Sequence, residues 1–184
     1  MRPIPERYRV PAVVLHWTMA LLLTGLVVFG LYMTSLPFSP QRLKLYNWHK
    51  WAGITALALA SLRLAWRLAH PAPPLPASVE AAMRGWQRRA HGTVHAALYG
   101  LFFLIPLLGW SYSSATGIPV VVFGVLPLPD LVPIDKALAD SLKQAHRLAA
   151  YALVALSALH GGAALKHHFI DHDGLLGRMW FASR

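Results

Sequence analysis

The sequence contains no cysteine, and this absence excludes several kinds of site. Disulfide bonds, iron–sulfur clusters and thiolate metal sites all require cysteine sulfur. Covalently attached c-type haem requires it as well, within a Cys-x-x-Cys-His motif. Any metal or prosthetic group in this protein must therefore be bound without thiolate ligands.

Charged residues are also scarce, which argues against a soluble globular domain. They make up 13% of the 184 residues, while 56% are hydrophobic. A soluble domain usually carries about 25% charged residues. The balance is basic, with 17 Lys and Arg against 7 Asp and Glu. Because the basic residues cluster at the ends of apolar stretches and no nucleic-acid motif is recognisable, a membrane orientation signal explains them better than nucleic-acid binding.

Four apolar stretches reach the length of about 20 residues that a membrane-spanning helix needs. They run roughly over residues 11–33, 47–68, 92–112 and 142–168. We therefore predict an all-α integral membrane protein, a four-helix bundle in which residues 1–184 form a single domain. The first stretch is too long for the apolar core of a signal peptide, and no Ala-x-Ala-like site follows it, so we expect it to remain as a helix.

The distribution of Lys and Arg predicts that both termini lie in the cytoplasm. An even number of spans puts the termini on one side, and eleven of the 17 basic residues fall on that side. Cytoplasmic loops of membrane proteins are enriched in Lys and Arg. The eleven are Arg2, Arg7, Arg9, Arg63, Arg67, Arg84, Arg88, Arg89, Lys166, Arg178 and Arg184, and the outer six are Arg42, Lys44, Lys50, Lys136, Lys143 and Arg147.

The segments that connect the spans differ in character. The proline-rich run at 70–76 should leave the second helix in an extended conformation. The basic stretch at 77–89 is predicted to form a short helix at the membrane surface. The long segment at 113–140 is predicted to cover the outer end of the bundle.

Histidines inside the apolar stretches are the candidate functional residues. An ionisable side chain within a membrane span is costly and usually faces the bundle interior with a partner. His146 and His160 lie fourteen residues apart in the fourth stretch. At about 100° and 1.5 Å per residue, they fall about 40° apart on one face and about 21 Å apart along the axis. A single such histidine is more often hydrogen-bonded to a backbone carbonyl, so the hypothesis depends on several histidines at matched depths.

Four histidines can be paired by depth. His16 and His160 both lie towards the inner ends of their helices, and His49 and His146 lie close to the outer ends. Neutral imidazoles on two helices can hold an iron porphyrin between them, and the core of a four-helix bundle can accommodate it. We therefore predict two haems, bound to iron by His16 with His160 and by His49 with His146.

The inner pair has an alternative. His95 lies at about the same depth as His16 and His160, and three imidazoles cannot all be axial ligands of one haem. We favour His16 with His160, with His95 contacting the haem or its propionates, but pairings that use His95 stay open. Arg63 is a candidate partner for a propionate, and the alternative is that its side chain extends to the membrane surface.

The residues resemble the bacterial cytochrome b561 family, which are small dihaem proteins of the inner membrane. The resemblance covers nearly the whole chain and depends on the order and spacing of its motifs. They are Leu-His-Trp within 9–17, Trp48-His-Lys-Trp-Ala-Gly53, Arg63-Leu-Ala-Trp-Arg67, His70-Pro-Ala-Pro-Pro74, His95-Ala-Ala-Leu-Tyr99, Pro106-Leu-Leu-Gly-Trp110, Ser141-Leu-Lys-Gln-Ala-His146, His160 and Lys166-His-His168. The resemblance implies two b-type haems, one held by the first and fourth helices and one by the second and fourth.

The resemblance also implies an activity. Members of this family pass electrons between the outer face of the membrane and the quinone pool, and one type oxidises superoxide and reduces ubiquinone. Our leading hypothesis is such an oxidoreductase. Lys50, Lys143 and Arg147 make the predicted outer rim positive and would steer superoxide inward. Lys166 and His167 are candidate hydrogen-bond donors to a quinone near the inner end of the fourth helix.

Two other functions remain open from the sequence. The chain could be a haem-carrying anchor subunit that passes electrons between a partner dehydrogenase or hydrogenase and the quinone pool. It could also be a transporter that uses the same histidines to carry protons or metal ions.

Overall fold

The computed structural model describes residues 7–181, so Arg2 and Arg184, which counted towards the predicted orientation, lie outside the described residues. The described part is almost entirely helical. Its helices are α1 (Val10–Ser35), α2 (Pro40–Ala69), α3 (Ala77–Ala82), α4 (Gly85–Ala115) and α5 (Lys136–Lys166). A two-stranded hairpin, β1 (Val121–Val122) with β2 (Leu126–Pro127), lies between α4 and α5. After α5 come a π-helical turn (His167–Asp171) and a 3₁₀ turn (Leu176–Met179).

Four of these helices are long and apolar enough to cross a membrane: α1, α2, α4 and α5 together with its π-helical turn. Many of their large apolar side chains point outward, such as Leu21, Val28, Leu62 and Leu159, each of which is more than half exposed. In water this surface would be unfavourable, but it suits contact with lipid chains. The structure therefore confirms the predicted helical architecture with four helices able to span a membrane.

The four long helices pack side by side in a bundle. α4 packs along α5, α1 packs along α2, and α2 contacts α4. Two helices that start at the predicted outer end have side-chain caps. Ser39 accepts a hydrogen bond from the Arg42 N–H, and Asp135 accepts one from the Leu138 N–H. These caps satisfy N–H groups that would otherwise lack partners, and they fix where α2 and α5 begin.

The predicted surface helix at 77–89 was wrong in its extent. Only Ala77–Ala82 form a separate short helix, and the chain from Gly85 onward already belongs to α4. The reason is a capping box: the Gln87 side chain accepts a hydrogen bond from the Arg84 N–H at 2.8 Å, which starts a new helix there. That helix then continues into the membrane without interruption.

The segment between α4 and α5 covers one end of the bundle, but it is shorter than the predicted 113–140. α4 continues to Ala115 and α5 begins at Lys136. Two indoles attach this segment to the bundle: Trp51 Nε1 donates to the Val121 carbonyl of the hairpin at 2.6 Å, and Trp110 Nε1 donates to the Pro129 carbonyl after it at 3.0 Å. Aromatic side chains of α2 and α4 therefore hold the segment between α4 and α5 against the end of the bundle.

The opposite end of the bundle is closed by the last described residues. Trp17 Nε1 donates to the Met179 carbonyl at 2.7 Å, and the indole rings of Trp17 and Trp180 meet edge to face. The Arg178 guanidinium donates to the Pro74 carbonyl at 2.8 Å. The C-terminal segment is thus joined both to α1 and to the proline-rich connection after α2.

Candidate functional site

At the end that residues 116–135 cover, α2 and α5 place two imidazoles opposite each other. The ring centroids of His49 and His146 lie 6.2 Å apart, and the ring planes are nearly perpendicular at 77°. Each ring is backed by a glycine of a neighbouring helix. A Cβ on Gly30 would lie 3.3 Å from His49 Cε1, and a Cβ on Gly109 would lie 3.1 Å from His146 Cε1. The missing side chains allow the imidazoles to sit directly against the backbones of α1 and α4.

Hydrogen bonding fixes the proton position on His146. Its Nδ1 lies 2.9 Å from the carbonyl oxygen of Ile105, and a carbonyl can only accept. Nδ1 therefore carries the proton, and Nε2 keeps a free lone pair. A histidine that binds a metal usually donates its second N–H in this way. The sequence did not reveal the Ile105 partner, because a backbone carbonyl leaves no mark in a motif.

At the other end of the bundle, three imidazoles come together. The ring centroids of His16 and His160 are 6.2 Å apart, and those of His95 and His160 are 5.0 Å apart. His95 Nδ1 lies 2.8 Å from the carbonyl oxygen of His91, so His95 also keeps a free Nε2 lone pair. The structure therefore places all three predicted inner residues in one cluster, and the choice of His16 over His95 as the ligand stays a prediction.

Arg63 belongs to this inner cluster. Its Nε donates to the Tyr99 hydroxyl at 3.2 Å, and its Nη2 donates to His16 Nδ1 at 3.2 Å. Because a guanidinium only donates, a neutral His16 in this arrangement carries its proton on Nε2. Ligation through Nε2 requires that proton on Nδ1, so Arg63 would have to turn towards another acceptor. A carboxylate that enters the cluster, such as a haem propionate, would provide one.

A buried nitrogen of Arg63 supports this interpretation. Among the side chains that the structure describes, Arg63 Nη1 and His49 Nδ1 are buried without a hydrogen-bond partner. Buried polar groups are normally paired, and an unpaired one is costly. For Arg63, a bound anion would remove this cost. For His49, no partner is present among the described residues.

The two imidazole pairs fit a b-type haem. A bond between a metal and an imidazole nitrogen is about 2 Å long, so two imidazoles on opposite sides of one metal have ring centroids about 6 Å apart. The pairs His49–His146 and His16–His160 both show 6.2 Å. Their surroundings are apolar helices, which suit the porphyrin. These imidazoles could hold b-type haem, and the number of haems and the choice of ligands stay predictions.

The three cations predicted at the outer rim, Lys50, Lys143 and Arg147, differ in their contacts and exposure. Lys50 Nζ donates to the carbonyl oxygens of Ile118 and Pro119 at 3.3 and 3.5 Å. Lys50 therefore links α2 to the covering segment. Arg147 is exposed and donates to the Gln144 side chain at 2.7 Å, and Lys143 is also exposed. Of the three, Lys143 and Arg147 are the side chains that extend from α5 into the surroundings.

The predicted quinone contacts are held by carboxylates that the sequence interpretation missed. Lys166 Nζ lies 2.6 Å from an Asp171 oxygen, and His167 Nδ1 lies 2.5 Å from an Asp173 oxygen. Both carboxylates follow α5 closely in the sequence, and this proximity was the only indication in the sequence that they could pair with Lys166 and His167. Their position against the basic residues depends on how the chain turns after α5, and spacing alone did not reveal this.

We expect Arg63→Gln to weaken one haem and lower its midpoint potential, because loss of a nearby positive charge favours the oxidised iron. The expected shift is about 50 mV, which is close to a tenfold change in a one-electron equilibrium. Arg63→Lys should shift the potential less, since the charge remains but the planar fork is lost. A redox titration of the purified variants measures this. Arg67→Gln, one turn further along α2 and exposed, is the control, and an equal shift in both Gln variants would contradict the assignment.

Comparison with known proteins shows the family of this chain. Residues 7–182 match the family model described as prokaryotic cytochrome b561. The chain is 37% identical over 177 residues to the Escherichia coli (strain K12) protein named cytochrome b561 homolog 2, which covers 95% of this chain and 92% of that protein. It is 30% identical over 131 residues to a Yersinia pestis protein named "Probable superoxide oxidase CybB", covering 71% of this chain and 72% of that protein.

A third relative, the Escherichia coli (strain K12) protein named cytochrome b561 homolog 1, is 34% identical over 109 residues, covering 58% of this chain and 56% of that protein. The family model spans nearly the whole chain, and the first of these relatives is similar along almost its full length. Such matches imply b-type haem and electron transfer in a bacterial membrane. The chain belongs to the prokaryotic cytochrome b561 family.

Proposed function

We propose that this protein carries electrons across the bacterial inner membrane through two b-type haems, from superoxide on the outer side to ubiquinone near the inner side. The observation that carries the proposal is the repetition of one geometry: two imidazole pairs with the same 6.2 Å separation, both using α5. Two such pairs on one helix form a path across the membrane. Both termini are proposed to lie in the cytoplasm.

The chain provides imidazole ligands for haem at two depths in the membrane. His146 and His160 lie fourteen residues apart on α5, which separates the two levels by about 21 Å along the helix. His49 from α2 faces the first, and His16 from α1 faces the second. The haems, when bound, supply one-electron redox chemistry. The apolar helices around them keep water away from both sites.

The choice of superoxide as the donor has two supports. One relative bears the name "Probable superoxide oxidase CybB", and it covers 71% of this chain. In addition, the exposed Lys143 and Arg147 lie on the part of α5 nearest the end that residues 116–135 cover, close to His146. Cations at the entrance of a site raise the local concentration of an anion and its rate of encounter.

The choice of quinone as the acceptor depends on the other end of α5. Lys166 and His167 place two side-chain donors at the point where this helix leaves the bundle. Quinone carbonyl oxygens accept hydrogen bonds, and quinone reduction consumes protons. Both needs suit an ammonium and an imidazole at this position.

The test uses the purified haem-loaded protein. We expect two haems per chain, reduction of both by superoxide, and reoxidation on addition of ubiquinone. The rate with superoxide should fall as salt is added, because screening weakens the attraction between the ion and the exposed cations. Stopped-flow spectroscopy measures both half-reactions. Haems that are reduced only by a partner dehydrogenase, and not by superoxide, would instead support the anchor-subunit function.

A further inference from the structure

Four charged or titratable side chains form a compact cluster just beyond α5. His167 Nδ1 lies 2.5 Å from Asp173 Oδ2 and 3.1 Å from Asp171 Oδ2. Lys166 Nζ contacts both oxygens of Asp171, at 2.6 and 2.8 Å. The Asp173 side chain is only 13% exposed, whereas that of Asp171 is 32% exposed. The pair His167–Asp173 is therefore the better shielded part of the cluster.

The backbone brings Asp173 back onto the helix end. The π-helical turn at His167–Asp171 is followed by His172 in the left-handed conformation, with φ at +50°. The Asp173 N–H then donates to the His167 carbonyl at 3.3 Å. Asp173 Oδ1 accepts from the Leu175 N–H at 3.1 Å, while Oδ2 faces His167. Both carboxylate oxygens are thus committed, one to the backbone and one to the imidazole.

The position of His167 connects this pair to the inner imidazole cluster. His167 lies seven residues beyond His160, which is about two helical turns along the same face of α5. On α4, His91 lies within electrostatic range of His167, and its ring contacts that of His95 at 4.4 Å. The titratable and charged groups that the structure describes around His167 include Lys166, Asp171, His172 and Asp173 on its own segment, His91 on α4 and, next to His91, Arg67 on α2.

We propose that Asp173 is a positioning residue that holds His167 for the proton delivery to quinone assigned to it above. A carboxylate only accepts, so Asp173 fixes the proton of His167 on Nδ1 and leaves Nε2 to give and regain a second proton. This inference rests on the proposed function, because it assumes that quinone is the acceptor.

The proton transfer balances with the proposed electron donor. One quinone takes up two electrons and two protons to become a quinol. Two superoxide ions supply the electrons and leave as dioxygen. For each proton, the Nε2–H bond of His167 breaks, an O–H bond forms on a quinone oxygen, and water on the cytoplasmic side returns a proton to Nε2.

Asp173→Asn is the decisive variant. The amide oxygen of the substituted side chain would keep the Leu175 N–H, so its NH₂ group would face His167 Nδ1 and force the opposite tautomer. We expect quinone-dependent reoxidation to slow at least about tenfold, in line with the loss of a positioned acid. The KM for ubiquinone should stay within about threefold, and the solvent deuterium isotope effect on reoxidation should rise. Asp173→Glu should recover part of the rate.

The controls separate this role from a structural one. Glu80→Gln removes an exposed carboxylate of α3 that pairs with Arg88 and does not belong to the cluster, so it should change reoxidation by less than about threefold. Superoxide-driven reduction without quinone should be equal in wild type, Asp173→Asn and Glu80→Gln. In a His167→Gln background, Asp173→Asn should have no further effect, since Asp173 acts through the imidazole.

The outcomes distinguish the two proposals. If wild-type protein does not transfer electrons to ubiquinone, the proposed function fails. If wild type does so and Asp173→Asn reoxidises at the wild-type rate with an unchanged isotope effect, the inference about Asp173 fails. Additive losses in the His167→Gln, Asp173→Asn double variant would also overturn it, because the two residues would then act independently.

Discussion

Substitution of His146 by alanine is expected to remove one haem from each chain and to leave the other in place. His146 faces His49 at 6.2 Å between ring centroids and has its Nδ1 proton directed to Ile105, so its Nε2 is the lone pair available to a metal at that level. The other pair, at the far end of α5, does not involve this side chain. Haem content measured against protein concentration should fall by about half.

The same measurement decides the contested inner assignment. His160→Ala should remove the inner haem and His95→Ala should keep both, because we assign His16 and His160 as the ligands. His168→Ala is a suitable control, since this histidine is exposed and follows α5. The spectrum of the haem that remains in His146→Ala would then be that of the inner site alone. Loss of a haem in His95→Ala with retention in His160→Ala would show that His95 is the ligand.

Enlarging Gly109 is expected to disturb the outer site almost as strongly as removing a ligand. A Cβ at this position would lie 3.1 Å from Cε1 and 3.2 Å from Nδ1 of His146, which is too close for an ordinary contact. The imidazole cannot retreat easily, because its Nδ1–H is bonded to the Ile105 carbonyl of the same helix, α4. Gly109→Ala should weaken the outer haem, and the larger, branched Gly109→Val should abolish it.

A glycine of the same helix provides the control. A Cβ on Gly100 would have nothing within 4 Å, so Gly100→Ala should keep both haems and stabilise α4 slightly. On α1 the corresponding comparison is Gly30→Ala against Gly25→Ala, since a Cβ on Gly30 approaches His49 and one on Gly25 meets nothing. Haem content and the midpoint potential of the outer haem measure the effect. Full retention of the outer haem in Gly109→Val would contradict the role given to this glycine.

The sequence was sufficient for the features that depend on local pattern. Hydropathy identified the four spans, and the spacing of histidines along them placed His16, His49, His146 and His160 at two levels. Both signals arise within single helices, where the rise and rotation per residue give the depth of a side chain in the membrane and the side of the helix on which it lies. Histidines of different helices could then be paired, because each span crosses the membrane in a predicted direction and the depth of each histidine can be compared with that of the others.

The features that the sequence could not supply all depend on contacts between segments. Gly30 and Gly109 were noted only as small residues, and their place behind the imidazoles requires the packing of α1 on α2 and of α4 on α5. The bond from Arg63 to His16 joins residues 47 positions apart. Asp173 meets His167 only because the chain adopts a π-helical and then a left-handed turn, which no motif in the sequence signals.

The sharing of α5 between the two imidazole pairs also has a consequence for biogenesis. His146 and His160 belong to α5, which leaves the ribosome after the other three spans that the structure describes. Until then, His16 and His49 have no partner from α5 at either level. On the proposed ligand assignment, a nascent chain with only α1, α2 and α4 inserted would complete neither haem site. We therefore expect haem loading to follow the insertion of α5, and a chain that terminates before α5 to bind no haem.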